Sequence, residues 1–177
     1  MNIIIREIDQ YNIEDFACCD SSFTVDSKLI LNAENGTIRY TIVDVPPYTK
    51  QYRAEEFDSK FYMDHPDRAI FFAYLDEELA GEIRLRKNWN EYAYIDSVVV
   101  DSKFRNQGVG RALIQQAIEW AKMKGFPGLM LETQDNNVSA CHFYESCGFE
   151  LRGLDTHLYK ASDPSTDEIA LYWYLIF

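Results

Sequence analysis

Apolar positions change their period along the chain, and each change marks an element. Residues 2 to 8 carry Ile3, Ile4, Ile5 and Ile8 and read as a strand. Residues 12 to 20 read as a short helix. Lys28 to Asn32 and Thr37 to Val45 read as two strands around Asn35-Gly36, a pair that tolerates the positive φ of a tight hairpin. Pro46 and Pro47 follow and are expected to break the chain, since neither offers an amide donor. Residues 53 to 63 read as a helix with Phe57 and Phe61 four apart on one face.

The second half is more regular. Ala69 to Leu75 and Leu79 to Lys87 flank the polar run Asp76-Glu77-Glu78 and predict a hairpin, and Ala93 to Val100 predicts a third strand. Gly108 to Lys124 is an amphipathic helix whose stripe is Leu113, Ile114, Ala117, Ile118 and Ala121, stopped by Gly125. Gly128 to Glu132 is an apolar strand. Asn137 to Cys147 is a second helix, with Gly148 in the left-handed stop position. Residues 149 to 152 and 168 to 176 close the pattern as strands. An antiparallel portion followed by β-α-β-α-β predicts an α/β fold, a mixed and mostly antiparallel central sheet flanked by helices. One domain over 1–177 is expected, patterned most clearly over 69–153.

Composition narrows the function. Hydrophobic residues make up 47% of 177 residues, enough for a sizeable core. The formal net charge of -12 leaves no basic cluster for phosphates, so nucleic acid is not an expected partner. An acidic surface suits a cationic small molecule, or serves solubility. No apolar run approaches the ~20 residues of a membrane span, and the start has no basic, signal-like segment. A cytoplasmic protein with reduced thiols, monomeric or homodimeric, is expected.

The stretch QDNNVSACHFYESCGF gathers two cysteines, a histidine and a tyrosine, the material of metal and redox sites. Helix geometry argues against both. Cys141 and Cys147 are six apart, about 240° around a helix, and His142 lies a further ~100° from Cys141. No second cluster completes a tetrahedral set, so no metal is expected, and the cysteines read as small hydrophobes.

A glycine turn offers different chemistry. VVVDSKFRNQGVGRALI runs strand, loop, glycine turn, helix, with Gly108 and Gly110 at the helix start and Arg105 and Arg111 on either side. Bare amides at a helix N-terminus suit a phosphate. A P-loop would need Lys and then Ser or Thr after the second glycine, and here Arg111-Ala112 follows. A dinucleotide fingerprint would need glycine at 113, which is Leu. The run Arg105-Asn106-Gln107-Gly108-Val109-Gly110 instead resembles the pyrophosphate loop of the GCN5-related N-acetyltransferase (GNAT) superfamily. Asn137, Ala140, Tyr144 and Gly148-Phe149 resemble that superfamily's second motif. The runs LRKNWNEYAYI, GLMLETQDNN, ACHFYESCGF, PPYTKQY and WYLIF are similar to the streptothricin acetyltransferases within it.

The resemblance implies a GNAT fold, acetyl-CoA as co-substrate, and acetylation of an amine of streptothricin on its β-lysine arm. A polyamine or protein amine is the alternative acceptor, and a non-catalytic coenzyme-A sensor the alternative role. It implies that Arg105, Asn106, Gln107, Gly108, Val109, Gly110 and Arg111 cradle the pyrophosphate. It further implies that backbone groups of Val98, Val99 and Val100 pair with the pantetheine arm, and that Tyr144 protonates the departing thiolate. From the residues themselves, Asn137, Ala140 and Tyr144 share one helix face, and Asn137 also suits a helix cap. A base is needed, because an alkylamine of pKa about 10.4 arrives protonated. Asp96 alternates onto the face of Val98 and Val100 and is one candidate; Glu82 and Glu132 are others. For a cationic acceptor, Trp89, Tyr92 and Tyr94 offer aromatic walls, with Glu82 and the acidic Glu55, Glu56 and Asp58 as anionic partners.

Overall fold

Strand β1 spans Ile3–Glu7, β2 Phe23–Glu34, β3 Thr37–Lys50, β4 Arg68–Leu75, β5 Glu78–Lys87, β6 Ala93–Val100, β7 Gly128–Gln134, β8 Glu150–Asp155 and β9 Ala170–Ile176. Helix α1 spans Val109–Met123 and α2 Val138–Ser146. The computed structural model describes residues 2–52 and 58–177. Contacts gather them into two units: Met1–Phe23, Gln51–Leu129 and Phe177 form the first, and Thr24–Lys50 with Met130–Ile176 the second.

In the first unit the strands run β1-β4-β5-β6, each pair antiparallel. The β4–β5 hairpin turns on Asp76 and Glu77, at φ 48° and 73°, the left-handed pair whose twist matches two right-twisted strands. Helix α1 packs across β1, β4, β5 and β6. It buries Val109, Leu113, Ile114, Ala117, Trp120 and Ala121; Trp120 joins the expected stripe and Ile118 is only half-buried. Gly81 is what lets α1 come so close. A β-carbon there would lie 2.7 Å from the Val99 carbonyl oxygen, 3.1 Å from Leu113 and 3.2 Å from Val109. The opposite face of this sheet buries Ile8, Tyr62, Ile70 and Phe72.

The second unit carries β7-β9-β8 and the separate two-stranded sheet β2-β3. The β2–β3 turn is Asn35-Gly36, as expected, at φ 51° and 76°. Both strands outrun their sequence signal. Pro46 and Pro47 do not break β3, which continues to Lys50. Adjacent residues point their amides to opposite sides of a strand, so in a two-stranded sheet this dipeptide removes at most one ladder donor. Helix α2 is capped by Asn137, whose side chain accepts the Ala140 amide at 3.2 Å, and it ends at Gly148 with φ 92°.

Two short expectations are corrected. Only Ile13–Asp15 of residues 12 to 20 is helical, as one 3-10 turn. Of the helix expected over 53 to 63, residues 53–57 lie outside the described residues, and Ser59–Tyr62 is a 3-10 turn capped by Asp58. Gly81→Ala is expected to cost about 1–3 kcal/mol, because the oxygen it meets is backbone and cannot swing away. Urea unfolding of wild type and variant measures it.

Candidate functional site

The glycine turn is shaped by its own side chains. Asp101 closes the end of β6 by accepting the Lys103 amide at 3.1 Å. Asn106 and Gly108 take left-handed conformations, φ 62° and 89°, and swing the chain into α1. Gly108 occupies the cap position with no side chain to satisfy the first-turn amides. Those amides and the positive end of the helix dipole face an exposed turn beside the exposed Arg111. Arg105 is spent differently: its Nε donates to the Val100 carbonyl at 3.2 Å, and its Nη2 to the carbonyls of Ser22 and Asp20 at 2.7 and 3.3 Å. It staples the loop rather than presenting an open fork. Gln107 likewise donates to the Lys103 carbonyl at 3.0 Å.

Asp96 is not on the face of Val98 and Val100. Ser97 pairs with Arg84, but Ile95 pairs with the next residue, Leu85, so Asp96 is the extra residue of a β-bulge. The bulge resets the alternation and puts Asp96 on the Arg84–Arg86 side. There it accepts from Arg86 Nε at 2.8 Å and from the Tyr62 hydroxyl at 3.2 Å. The guanidinium of Arg86 also lies 4.6 Å from the centre of the Tyr94 ring, so that aromatic face already has a cation. Trp89 is 88% exposed, and the Tyr92 carbonyl accepts the Asn88 amide at 2.9 Å. Glu82 is buried and accepts the Ala17 amide at 2.9 Å; burial pushes its carboxyl up.

Tyr144 and Glu132 belong to the second unit. Tyr144 is buried on α2, edge-on to Phe149 with ring centres 5.8 Å apart. Glu132 follows the fully apolar run Leu129–Leu131 on β7, and burial raises its carboxyl to about 7; Lys50 pulls it down and Glu168 pushes it up. The hydroxyl of Tyr159, in the 3-10 turn Leu158–Ala161, donates to Glu132 Oε1. The cysteines stay out of this chemistry: Cys141 is buried, its thiol pushed up to about 12 by desolvation. Its helix neighbour His142 is exposed. Among the described residues no group of three or more His, Cys, Asp or Glu could hold a metal ion, and no helix is long and apolar enough to cross a membrane.

Sequence reading missed Lys50, Glu168 and Tyr159 around Glu132, and Arg86 and Tyr62 around Asp96. Lys50 carried a signal inside PPYTKQY, and Arg86 inside LRKNWNEYAYI. The others are charged or aromatic residues of ordinary spacing that topology alone brings to a carboxylate.

Residues 38–149 match the model of the Acetyltransferase (GNAT) family. The chain belongs to this family. Among GNAT relatives, streptothricin acetyltransferase A of Bacillus subtilis is 42% identical over 98% of this chain and 100% of its own length. A streptothricin acetyltransferase of Escherichia coli is 40% identical over 73% of this chain and 71% of its own. A crystal structure from Bacillus anthracis, of a chain assigned to the streptothricin acetyltransferases and in complex with acetyl coenzyme A, superposes with TM-score 0.94 at 46% identity, covering 99% of this chain and 100% of that one. A nourseothricin acetyltransferase superposes with TM-score 0.82 at 33% identity, with 99% of each chain covered.

The raised carboxyl of Glu132 gives this GNAT chain a signature in stability. The folded state holds the Glu132 proton more tightly than the unfolded chain, so this group's contribution is full below pH 4.5 and is lost as pH rises through about 7. Glu132→Gln removes the penalty. It is expected to stabilise the protein at pH 8, on the order of 1–3 kcal/mol, with the difference vanishing near pH 4.5. Thermal unfolding at the two pH values measures it.

Proposed function

We propose that the chain acetylates an amine of streptothricin, on its β-lysine arm, using acetyl-CoA and no covalent enzyme intermediate. The supporting observation is likeness over the whole length: 42% identity to a streptothricin acetyltransferase and a near-superposable relative that holds acetyl coenzyme A. Likeness confined to a coenzyme loop would support the reaction but not the acceptor. The net charge of -12 adds a field that draws a polycation in.

Each residue then has a chemical task. The amides opening α1, with Arg111, hold the pyrophosphate, while Arg105 fixes the loop that presents them. Glu132 is the base. A carboxylate titrating near 7 is ionised often enough at neutral pH to take a proton, yet basic enough to hold it. Asp96 serves less well, because Arg86 neutralises it at 2.8 Å, and Glu82 is occupied by the Ala17 amide. The freed amine attacks the thioester carbonyl, the tetrahedral adduct breaks its carbon–sulfur bond, and Tyr144 gives its proton to the departing thiolate; the phenolate is then restored by the second proton that the acetylated nitrogen sheds.

Incubation with acetyl-CoA and streptothricin is expected to release free thiol in step with acetylated antibiotic. Polyamines and peptide amines at equal concentration should react far more slowly; equal rates would remove the assigned acceptor. Tyr144→Phe is expected to lower kcat about a hundredfold or more while coenzyme affinity stays within twofold. Calorimetric titration with coenzyme A alongside steady-state kinetics separates the two.

A further inference from the structure

The motif PPYTKQY has no task in the reaction so far described, although it supplies the end of β3. Two of its side chains leave the strand for one place. Lys50 Nζ donates to Glu168 Oε1 at 2.6 Å and to Asn136 Oδ1 at 3.4 Å. Asn136 is buried and donates its amide both to the same Glu168 oxygen, at 2.9 Å, and to the Tyr48 hydroxyl, at 3.2 Å. Asn136 sits in the connection from β7, which carries Glu132, to Asn137, which caps the helix of Tyr144. Lys50 and Glu168 are only 19% and 24% exposed, so their charges act through protein more than through water.

We propose that Lys50 is a positioning residue for the reaction, a tethered cation at the end of β3 that, balanced by Glu168, sets how readily Glu132 takes the acceptor's proton. This rests on Glu132 being the base. Four groups bear on that carboxylate: Lys50 from β3, Tyr159 from the 3-10 turn, Glu168 from the segment before β9, and Tyr172 from β9. Tyr159 favours the carboxylate through the hydrogen bond it donates, so the two groups that act on Glu132 by opposing charge are Lys50 and Glu168. A cation nearby favours the carboxylate and an anion disfavours it. The pair is therefore a built-in opposition. Lys50 offsets the desolvation of Glu132, and Glu168 limits how far, keeping the base strong. Salt-bridge loss alone would weaken both variants alike; opposition of charge moves them apart.

The test is the acid limb of kcat/KM against pH with streptothricin and saturating acetyl-CoA. Lys50→Met should move the limb up, by about one pH unit, which lowers kcat/KM at pH 7 about fivefold and restores it by pH 9. Glu168→Gln should move the limb down, and Lys50→Arg should leave it near the wild-type position. Displacement of both variants in the same direction, or of neither, overturns the proposal; Glu168→Gln decides alone if Lys50→Met does not fold. Glu132→Gln is the control for the underlying reading. If it keeps both activity and the acid limb, the base lies elsewhere and the role of Lys50 falls with it. If it loses them while the other limbs stay fixed, Glu132 stands and only the tuning role is lost.

Discussion

A carboxylate embedded in an apolar strand must be kept able to ionise, and much of the second unit answers to that constraint. Glu132 follows Leu129, Met130 and Leu131 on β7, where burial pushes its carboxyl up to about 7. The polar residues that reach it or its neighbours come from far along the sequence: Lys50 from the end of β3, Tyr159 from a 3-10 turn, Glu168 from the approach to β9. The long β2–β3 hairpin is anchored onto the same region. Leu29 donates its amide to the Asp135 carbonyl at 2.9 Å, and the Tyr40 hydroxyl donates to Glu145 at 2.6 Å, one residue past Tyr144. The hairpin thus contacts both the strand end of the proposed base and the helix of the proposed acid.

The proposed reaction sets the first unit another problem, holding a polyanion with a chain that is itself strongly acidic. Backbone amides do this without adding side-chain charge, provided the turn before α1 is bare and correctly aimed. Gly108 leaves it bare. Arg105 aims it, with three donor contacts to carbonyls at 2.7 to 3.3 Å. Close packing of α1 on the sheet depends in turn on the missing β-carbon at Gly81. Arg105, which reads in sequence as a phosphate ligand, braces in structure the turn proposed to do the binding.

What was legible in the sequence follows from how local each signal is. The β4–β5 hairpin, β6, both helices and their glycine stops are written in periodicity and turn chemistry, and they lie where expected within a residue or two. The β2–β3 strands ran longer than their pattern, because an exposed two-stranded ribbon needs no apolar alternation and tolerates Pro46 and Pro47. The face of Asp96 was misread, since a one-residue bulge shifts alternation without any mark at that position. Family resemblance pointed to the coenzyme loop and Tyr144 as candidates. Asp96 stood first among three candidate bases, with Glu82 and Glu132 behind it; what each carboxylate meets, Arg86, Ala17 or Lys50, depends on pairing that periodicity does not show.

The central claim is that Glu132 exchanges its proton near neutral pH from a half-buried position on β7. Infrared difference titration reads this directly, through the carboxylic-acid carbonyl stretch of wild type minus Glu132→Gln. A band present at pH 6 that disappears with a midpoint near 7 is the result expected. A difference spectrum already fully ionised at pH 5 would contradict the account.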